Sequence, residues 1–331
     1  MKRYLSAITL SIAAVIGMSS PSITHATTAL KIGWTTSDGE SDPYAIGARA
    51  FKEAVERLSN GEVTVQMYPN RQLGDERQML EGMRFGTVDG GIITNAVIAQ
   101  IEPAFQLNDL PFLFASEEQA HRVLDGEHGA ELAKRLQTRN IVLLGFMDSG
   151  FRSMVNNARP IVEPNDVNGV KFRVMQNPIY IDMFNSLGGS AVPMAWGETF
   201  TAVQQGTIDG LEMPLAVALA SKFDEVTKYL SLTNHTYSAL GFVISKRTLD
   251  KLKPEQREAV LAAAKEAIAA QRKKAVSETR SVLAQLEQKG MKVNEISDPA
   301  EFRAKVKPVY DGVSKGNLGP MLNDLLKSLE Q

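Results

Sequence analysis

One five-residue phrase is written twice in this chain. Gly86-Thr87-Val88-Asp89-Gly90 returns as Gly206-Thr207-Ile208-Asp209-Gly210, each time after a stretch of helical spacing and before an apolar segment. In each copy the first glycine suits the left-handed cap that ends a helix, and the aspartate suits the tight turn that follows. Helix, cap, turn and strand, repeated in matched context, point to two related α/β halves. The two aspartates are therefore assigned to turn structure and not to a ligand.

The flanking pattern agrees. Residues 30–34 and 63–68 alternate as strands, and residues 43–57 and 75–85 have helical spacing, the second acidic at its start as the helix dipole favours. Strand–helix–strand–helix without hairpin signals predicts an α/β chain with mostly parallel strands. Further on, residues 141–146 predict a buried strand, and Asp148-Ser149-Gly150 a crossing point between domains. Residues 151–155 predict a strand carrying Arg152. Residues 170–174 predict a strand carrying Arg173, followed by helices over 178–187, 198–205 and 215–228 and a strand over 239–245. From Pro254 nothing breaks a helix for ~36 residues, or ~50 Å, which is long enough to be shared by two lobes. A helix pair over 116–139 carries His121 and His128, read as surface histidines; His235 is read as structural and hinge-side.

The first 26 residues have the composition of an export signal. Lys2 and Arg3 precede a mostly apolar run that is too short for a comfortable span, and Ala26 is the expected cleavage point; an uncleaved anchor is the alternative. The 331 residues less 26 leave 305, enough for two ordinary domains. With no cysteine, the chain has no disulfides, thiol nucleophiles or thiolate metal ligands, and must rest on its core. Removing Lys2 and Arg3 from the 36 basic residues leaves 34 against 38 acids, which excludes a generally basic nucleic-acid or membrane-surface binder. No stable membrane insertion is expected, and the compartment is read as a bacterial periplasm.

Enzyme signatures are missing: the G-x-S-x-G elbow, the phosphate-binding loop and the dinucleotide fingerprint are all absent. No metal site and no cofactor are expected. The candidate chemistry lies instead in Val170-Lys171-Phe172-Arg173-Val174. Alternation puts the apolar residues on one face and Arg173 on the other, where its rigid fork could grip a carboxylate. The alternative for Arg173 is a salt bridge to Glu198 or Glu212. Arg152 stands open between ligand contact and structural partner. Thr94 and Asn95 end a predicted strand, where open α/β sheets place ligands, and Asn177 follows the Arg173 strand. Glu198 and Glu212 are candidate supports for the arginines; as a pair of carboxylates they also keep a secreted glycoside hydrolase open as a minor alternative.

The chain resembles the periplasmic solute-binding receptors of TRAP (tripartite ATP-independent periplasmic) transporters, of the C4-dicarboxylate-binding type. The resemblance runs over essentially all of the chain after residue 26. It is carried by Tyr68-Pro69-Asn70-Arg71-Gln72-Leu73-Gly74, Leu110-Pro111-Phe112, Asn168-Gly169-Val170-Lys171-Phe172-Arg173-Val174 and Val192-Pro193-Met194-Ala195-Trp196-Gly197-Glu198. Gln205-Gly206-Thr207-Ile208-Asp209-Gly210-Leu211-Glu212-Met213-Pro214 and Lys222-Phe223-Asp224-Glu225-Val226 complete it. It implies a two-lobe periplasmic-binding-protein fold with mixed, mostly parallel sheets, hinged by strands and braced by one long helix. One lobe would comprise residues 27–150 and 239–278, the other residues 151–238 and 279–331. It also implies an organic-acid ligand, TRAP membrane subunits as partners, Arg173 as the carboxylate anchor and Arg152 as its helper. Thr35 and Asp42 would read the far end of the ligand, with Thr94 and Asn95. Trp196 would wall the cleft or belong to the core. Met213 departs from the asparagine common in sugar-acid receptors. A sugar acid is the favoured ligand, with a C4-dicarboxylate or another organic acid as alternatives.

Overall fold

The computed structural model describes residues 27–329; the expected export signal lies outside them. Nine strands form one continuous ladder: β1 (Thr28–Gly33), β2 (Val63–Tyr68), β3 (Gly90–Thr94), β4 (Ile141–Asn156), β5 (Lys171–Val174), β6 (Ser190–Pro193), β7 (Gly210–Pro214), β8 (Tyr229–Ser245) and β9 (Lys292–Glu295). The order is β2-β1-β3-β8-β4-β7-β5-β6, with β9 on the far end of β8. Within each half the strands run parallel: β2, β1 and β3 in the first, β6, β5 and β7 in the second. The long strands β4 and β8 lie antiparallel between the halves and pass through both.

The repeated phrase builds the same corner twice. Gly86 and Gly206 both end helices with positive φ, at 79° and 69°. The next residue, Thr87 or Thr207, returns its N–H to a carbonyl five residues back in the helix, Gly82 or Ala202, at 2.9 Å. The aspartates then fasten the neighbouring strand. Asp89 accepts from the Lys31 N–H of β1 at 2.9 Å, and Asp209 from the Lys171 N–H of β5 at 2.8 Å.

Two expectations need correction. The strands expected over residues 141–146 and 151–155 are one: β4 runs unbroken through Asp148-Ser149-Gly150, accommodating the glycine (φ 93°) as a register shift against β8. The helix expected over residues 215–228 ends at Ala220, and β8 begins at Tyr229, ten residues before the strand expected over 239–245. That early portion carries Thr233, His235, Thr236 and Tyr237, all buried but polar, so it lacks an apolar signature.

The long helix Pro254–Gln288 spans 35 residues. Its first turns bury Ala259, Val260, Ala263, Ala264 and Ala267 in a core with Phe51 and Phe242 of the first half. Its last turns bury Val282 and Leu286 with Met213 and Phe223 of the second. Between them, the fully buried Gln271 clamps the backbone of Asp148, accepting from its N–H at 2.9 Å and donating to its carbonyl at 2.6 Å. The brace is thus tied to β4 at the register shift.

Candidate functional site

A cleft of about 260 Å³ lies at the carboxyl ends of the parallel strands of both halves. Arg173 is its central cation. β5 holds it through Phe172, whose ring packs 5.0 Å from that of Phe184 behind the sheet. The residue as a whole is 4 % exposed, and its Nε and Nη2 donate to the Met194 carbonyl at 3.0 and 2.7 Å. Among the described residues it has no carboxylate within 4.0 Å. Three of the five N–H groups of an arginine therefore remain unengaged beside the cleft. Burial pulls its pKa down to about 10, which leaves it charged at neutral pH.

Arg152 presents the opposite case. Its Nε and Nη2 engage the Glu212 carboxylate, Nη2 also donates to the Glu212 carbonyl at 2.7 Å, and Nη1 donates to Ser238 Oγ at 3.1 Å. Four of its five N–H groups are thus occupied, although it borders the cleft. His235 completes the buried set, with Nε2 3.3 Å from Glu212 and Nδ1 2.7 Å from Thr233 Oγ1. Burial works to raise the pKa of Glu212, but Arg152 and His235 hold it below the usual value; burial also depresses His235.

Glu76 opens the helix Glu76–Phe85 and faces Arg173 from the first half. Its Oε1 accepts from both the N–H and the Oγ1 of Thr94 at 2.8 Å, and Thr94 Oγ1 stands 2.7 Å from the Tyr44 hydroxyl. Burial pushes the Glu76 carboxyl up to about 7, only partly offset by the Thr94 bonds and Arg173. Sequence reasoning assigned this residue to the helix dipole and missed the site. Tyr44, in the first turn of the helix Pro43–Leu58, is buried beside it.

Of the other expected residues, Thr35, Thr94, Trp196 and Met213 border the cleft. Trp196 also stacks 5.6 Å from Phe223, so it is both wall and core. Asp42, Asn95 and Asn177 do not border it. Asp42 caps the helix Pro43–Leu58 and accepts from Thr36 Oγ1 at 2.9 Å. Asn95 joins Phe105 and Asn108, and Asn177 caps the helix Pro178–Ser186 while donating to Asp109 at 3.0 Å. Asn95 and Asn177 thus spend their amides on backbone and on other buried side chains, while Asp42 keeps one buried oxygen, Oδ2, without a hydrogen bond among the described residues.

Glu198 is exposed and bonds neither arginine, so it does not take the supporting place expected of it. With Glu212 locked to Arg152, the two carboxylates do not form the pair a glycosidase needs. Nor are the two histidines free at the surface. His121 lies 2.8 Å from the buried Asp148, and His128 lies 2.8 Å from Asn108, with burial lowering its pKa to about 4.

Residues 35–316 match the family model DctP, bacterial extracellular solute-binding protein, family 7. A solute-binding protein of Verminephrobacter eiseniae is 36 % identical over 284 residues, covering 86 % of this chain and 84 % of its own. Among solved structures, the sugar acid binding protein DctPAm of Advenella mimigardefordensis, in complex with galactonate, superposes with a TM-score of 0.89. It is 32 % identical, and the match covers 92 % of this chain and 98 % of that one. A TRAP periplasmic solute-binding protein of Bordetella bronchispeptica, its density interpreted as pantoate, gives a TM-score of 0.86 at 35 % identity, covering 92 % and 98 %. The coverage, the two-lobe fold and a cleft floored by a buried arginine lead to one conclusion: this chain belongs to the DctP family of TRAP periplasmic solute-binding proteins, receptors rather than enzymes.

Proposed function

We propose that this receptor captures a sugar acid, with the acid group on Arg173. The observation that carries the reading is a buried, charged guanidinium with three unengaged N–H groups beside a small cleft. A carboxylate is the partner such a fork fits, by paired charge-assisted bonds. Glu76, Thr94 and Tyr44 then stand opposite as acceptors and donors for hydroxyl groups. The galactonate-bound relative supports this division of an acid end and a hydroxyl end. A C4-dicarboxylate fits less well, because the second buried cation, Arg152, is already neutralised by Glu212, and Arg77, which also borders the cleft, is exposed to solvent.

A less polar hydroxy acid is the second reading. Met175, Met194 and Met213 all border the cleft, and a methionine cannot donate to a hydroxyl. The relative described with pantoate, an acid bearing paired methyl groups, is in keeping with it.

Capture would proceed by closure about β4 and β8 near Asp148–Gly150, with residues 27–150 and 239–278 moving against 151–238 and 279–331. The closed form would then be presented to the TRAP membrane subunits. Export through a leader cleaved after Ala26 would deliver the chain to the periplasm. Among the described residues, no helix is long and apolar enough to cross a membrane.

Thermal-shift screening against sugar acids, dicarboxylates and branched hydroxy acids separates the readings, since a binder stabilises by mass action. Arg173→Ala is then expected to lose ~3–5 kcal/mol of binding, or roughly two to four decades of affinity, in an isothermal titration. Unchanged affinity would remove Arg173 from its assigned role.

A further inference from the structure

Three pairs of residues meet across the mouth of the cleft, each joining the segment after a first-half strand to the segment after a second-half strand. After β1, Ser37 Oγ donates to the Ala220 carbonyl at 3.3 Å. After β3, Gln100 Nε2 donates to the Gln176 carbonyl at 3.1 Å. After β2, Arg71 lies over Gly197 so closely that a Cβ built on the glycine would stand 1.6 Å from Nη1 and 2.5 Å from Cζ. β2 and β6 are the outermost strands of the ladder. A rotation about β4 and β8 moves the outermost elements furthest, so this third contact is the one most sensitive to closure.

Gly197 has no positive φ, so the position does not call for glycine on conformational grounds. The three heavy atoms nearest to a Cβ built there all belong to Arg71. The missing side chain therefore serves the opposite half and not the packing of its own. Arg71 is aimed by two consecutive left-handed residues, Asn70 at φ 53° and Arg71 at φ 61°, an uncommon conformation for side chains of this size. Asp75 answers its charge at 3.8 Å. Arg71 and Gly197 also border a more open cavity of about 250 Å³, which shares Thr35, Thr36 and Trp196 with the ligand cleft. The contact thus stands where the Trp196 end of the cleft meets solvent.

We infer that Arg71 and Gly197 form the outer closure contact of the clamp. The bare Cα of Gly197 lets the halves approach until the guanidinium covers the Trp196 end, and this slows ligand release. Both are positioning residues and neither needs to touch the ligand. The inference rests on the hinge-closure reading above.

The full chain has no cysteine, so spin labels at Glu53→Cys and Gln204→Cys, both exposed and in different halves, report the interlobe distance without background. D-galactonate and D-glucuronate serve as probes. Gly197→Leu is expected to lose most of the short-distance population of the parent chain and to weaken binding roughly tenfold, mainly through faster release. Arg71→Ala is expected to weaken it similarly. Adding Gly197→Ala to Arg71→Ala is expected to change nothing more, an outcome that a role confined to the second half would not give. Far-ultraviolet circular dichroism and the unfolding midpoint stay unchanged; should Gly197→Leu fail to fold, Gly197→Ala replaces it, since its single methyl meets only the tip of Arg71. A Gly197→Leu chain that still closes and binds normally, or additive losses in the double variant, overturns the inference. So does a parent chain that never shows the short distance, even if the probes stabilise it, and acid binding then stands alone. A short distance without thermal stabilisation by either probe removes the sugar-acid reading instead, and the variants are judged on the short-distance fraction.

Discussion

The two halves of the molecule share one scaffold and present opposite chemistry from it. Ile32 pairs with Gly90 in the first half and Phe172 with Gly210 in the second, so Gly33 and Arg173 occupy equivalent places. Counting back from the cap glycines Gly86 and Gly206 sets Glu76 opposite Trp196, and counting on from Gly90 and Gly210 sets Thr94 opposite Pro214. Where the second half projects a cation, the first has no side chain, because a Cβ on Gly33 would come 2.7 Å from Met79 Sδ. Where the first half sets a carboxyl and a hydroxyl, the second sets an indole and a proline ring. The fold fixes the stations from which side chains reach the cleft, and a few residue choices decide what each half can bind. An acid with a charged end and a hydroxylated body fits that asymmetry.

The sharpest way to break this comparison is through the two arginines, which sit on strands flanking β7. Arg152 belongs to the structure: removing it leaves Glu212 buried with His235 as its nearest polar contact. Arg152→Ala is expected to destabilise the ligand-free chain by ~3–5 kcal/mol, read as a lowered denaturant midpoint at neutral pH. Arg173→Ala removes a buried cation that has no carboxylate partner, and is expected to leave that midpoint unchanged or raise it. Equal losses in the two variants would erase the division between a structural and a ligand-facing arginine.

A second test uses the titration of Glu76, which has no counterpart at Trp196. Its folded pKa of about 7 lies above its ordinary value of 4.5. Between those values the folded chain keeps a proton that the unfolded chain has released, so stability falls as pH rises through the window. The loss is on the order of 3 kcal/mol above pH 7, from ~1.4 kcal/mol per pKa unit. Asp42, raised to about 6 by burial, contributes with the same sign. Glu76→Gln, which can still accept from Thr94, is therefore expected to flatten the stability profile between about pH 4.5 and 7 relative to the parent chain. Trp196→Phe is expected to leave the slope as it is. Parallel profiles for the parent and Glu76→Gln would mean that Glu76 is better solvated than its burial implies.

How much was legible before folding follows from the same contrast. Arg173 stood out because strand alternation sets Lys171 and Arg173 opposite the apolar Val170, Phe172 and Val174, and Arg173 alone of the two carries a guanidinium fork. The repeated phrase also announced two halves. Glu76 was hidden because an acid in the first turn of a helix already has a sufficient local explanation in the dipole. Asp42, Asn95 and Asn177 looked like ligand readers because their types and places fit. Asn95 and Asn177 bond Phe105, Asn108 and Asp109, and no local pattern reveals such bonds closed by folding; Asp42 instead caps the helix that begins at Pro43, a role its own neighbourhood already explains. The first half of β8 was illegible for a related reason. Its buried residues face Glu212, Asp148 and Arg152, so burial there selects polar side chains and removes the apolar run that marks a central strand.

The smallest expected effect tests how equal the repeated corners are. The Asp209 carboxylate accepts one bond, from the Lys171 N–H. Asp89 accepts the equivalent bond from Lys31 and a second from Thr248 Oγ1 at 2.8 Å. Thr248 lies in the short helix Lys246–Lys251 that follows β8, an element that ends in the first half. At ~0.5–1.5 kcal/mol per net hydrogen bond, Asp209→Ala is expected to cost about 1 kcal/mol and Asp89→Ala about 2 kcal/mol, with Thr248→Val closing most of the gap. Denaturant midpoints of the three variants measure this directly. If Asp209→Ala proves the costlier, the second corner must carry strain that its single bond relieves. If the order holds, the five-residue phrase has kept its geometry in both halves while the chain returning through β8 has made the first corner the stronger, and the asymmetry of the cleft then extends to the stability of the two halves that form it.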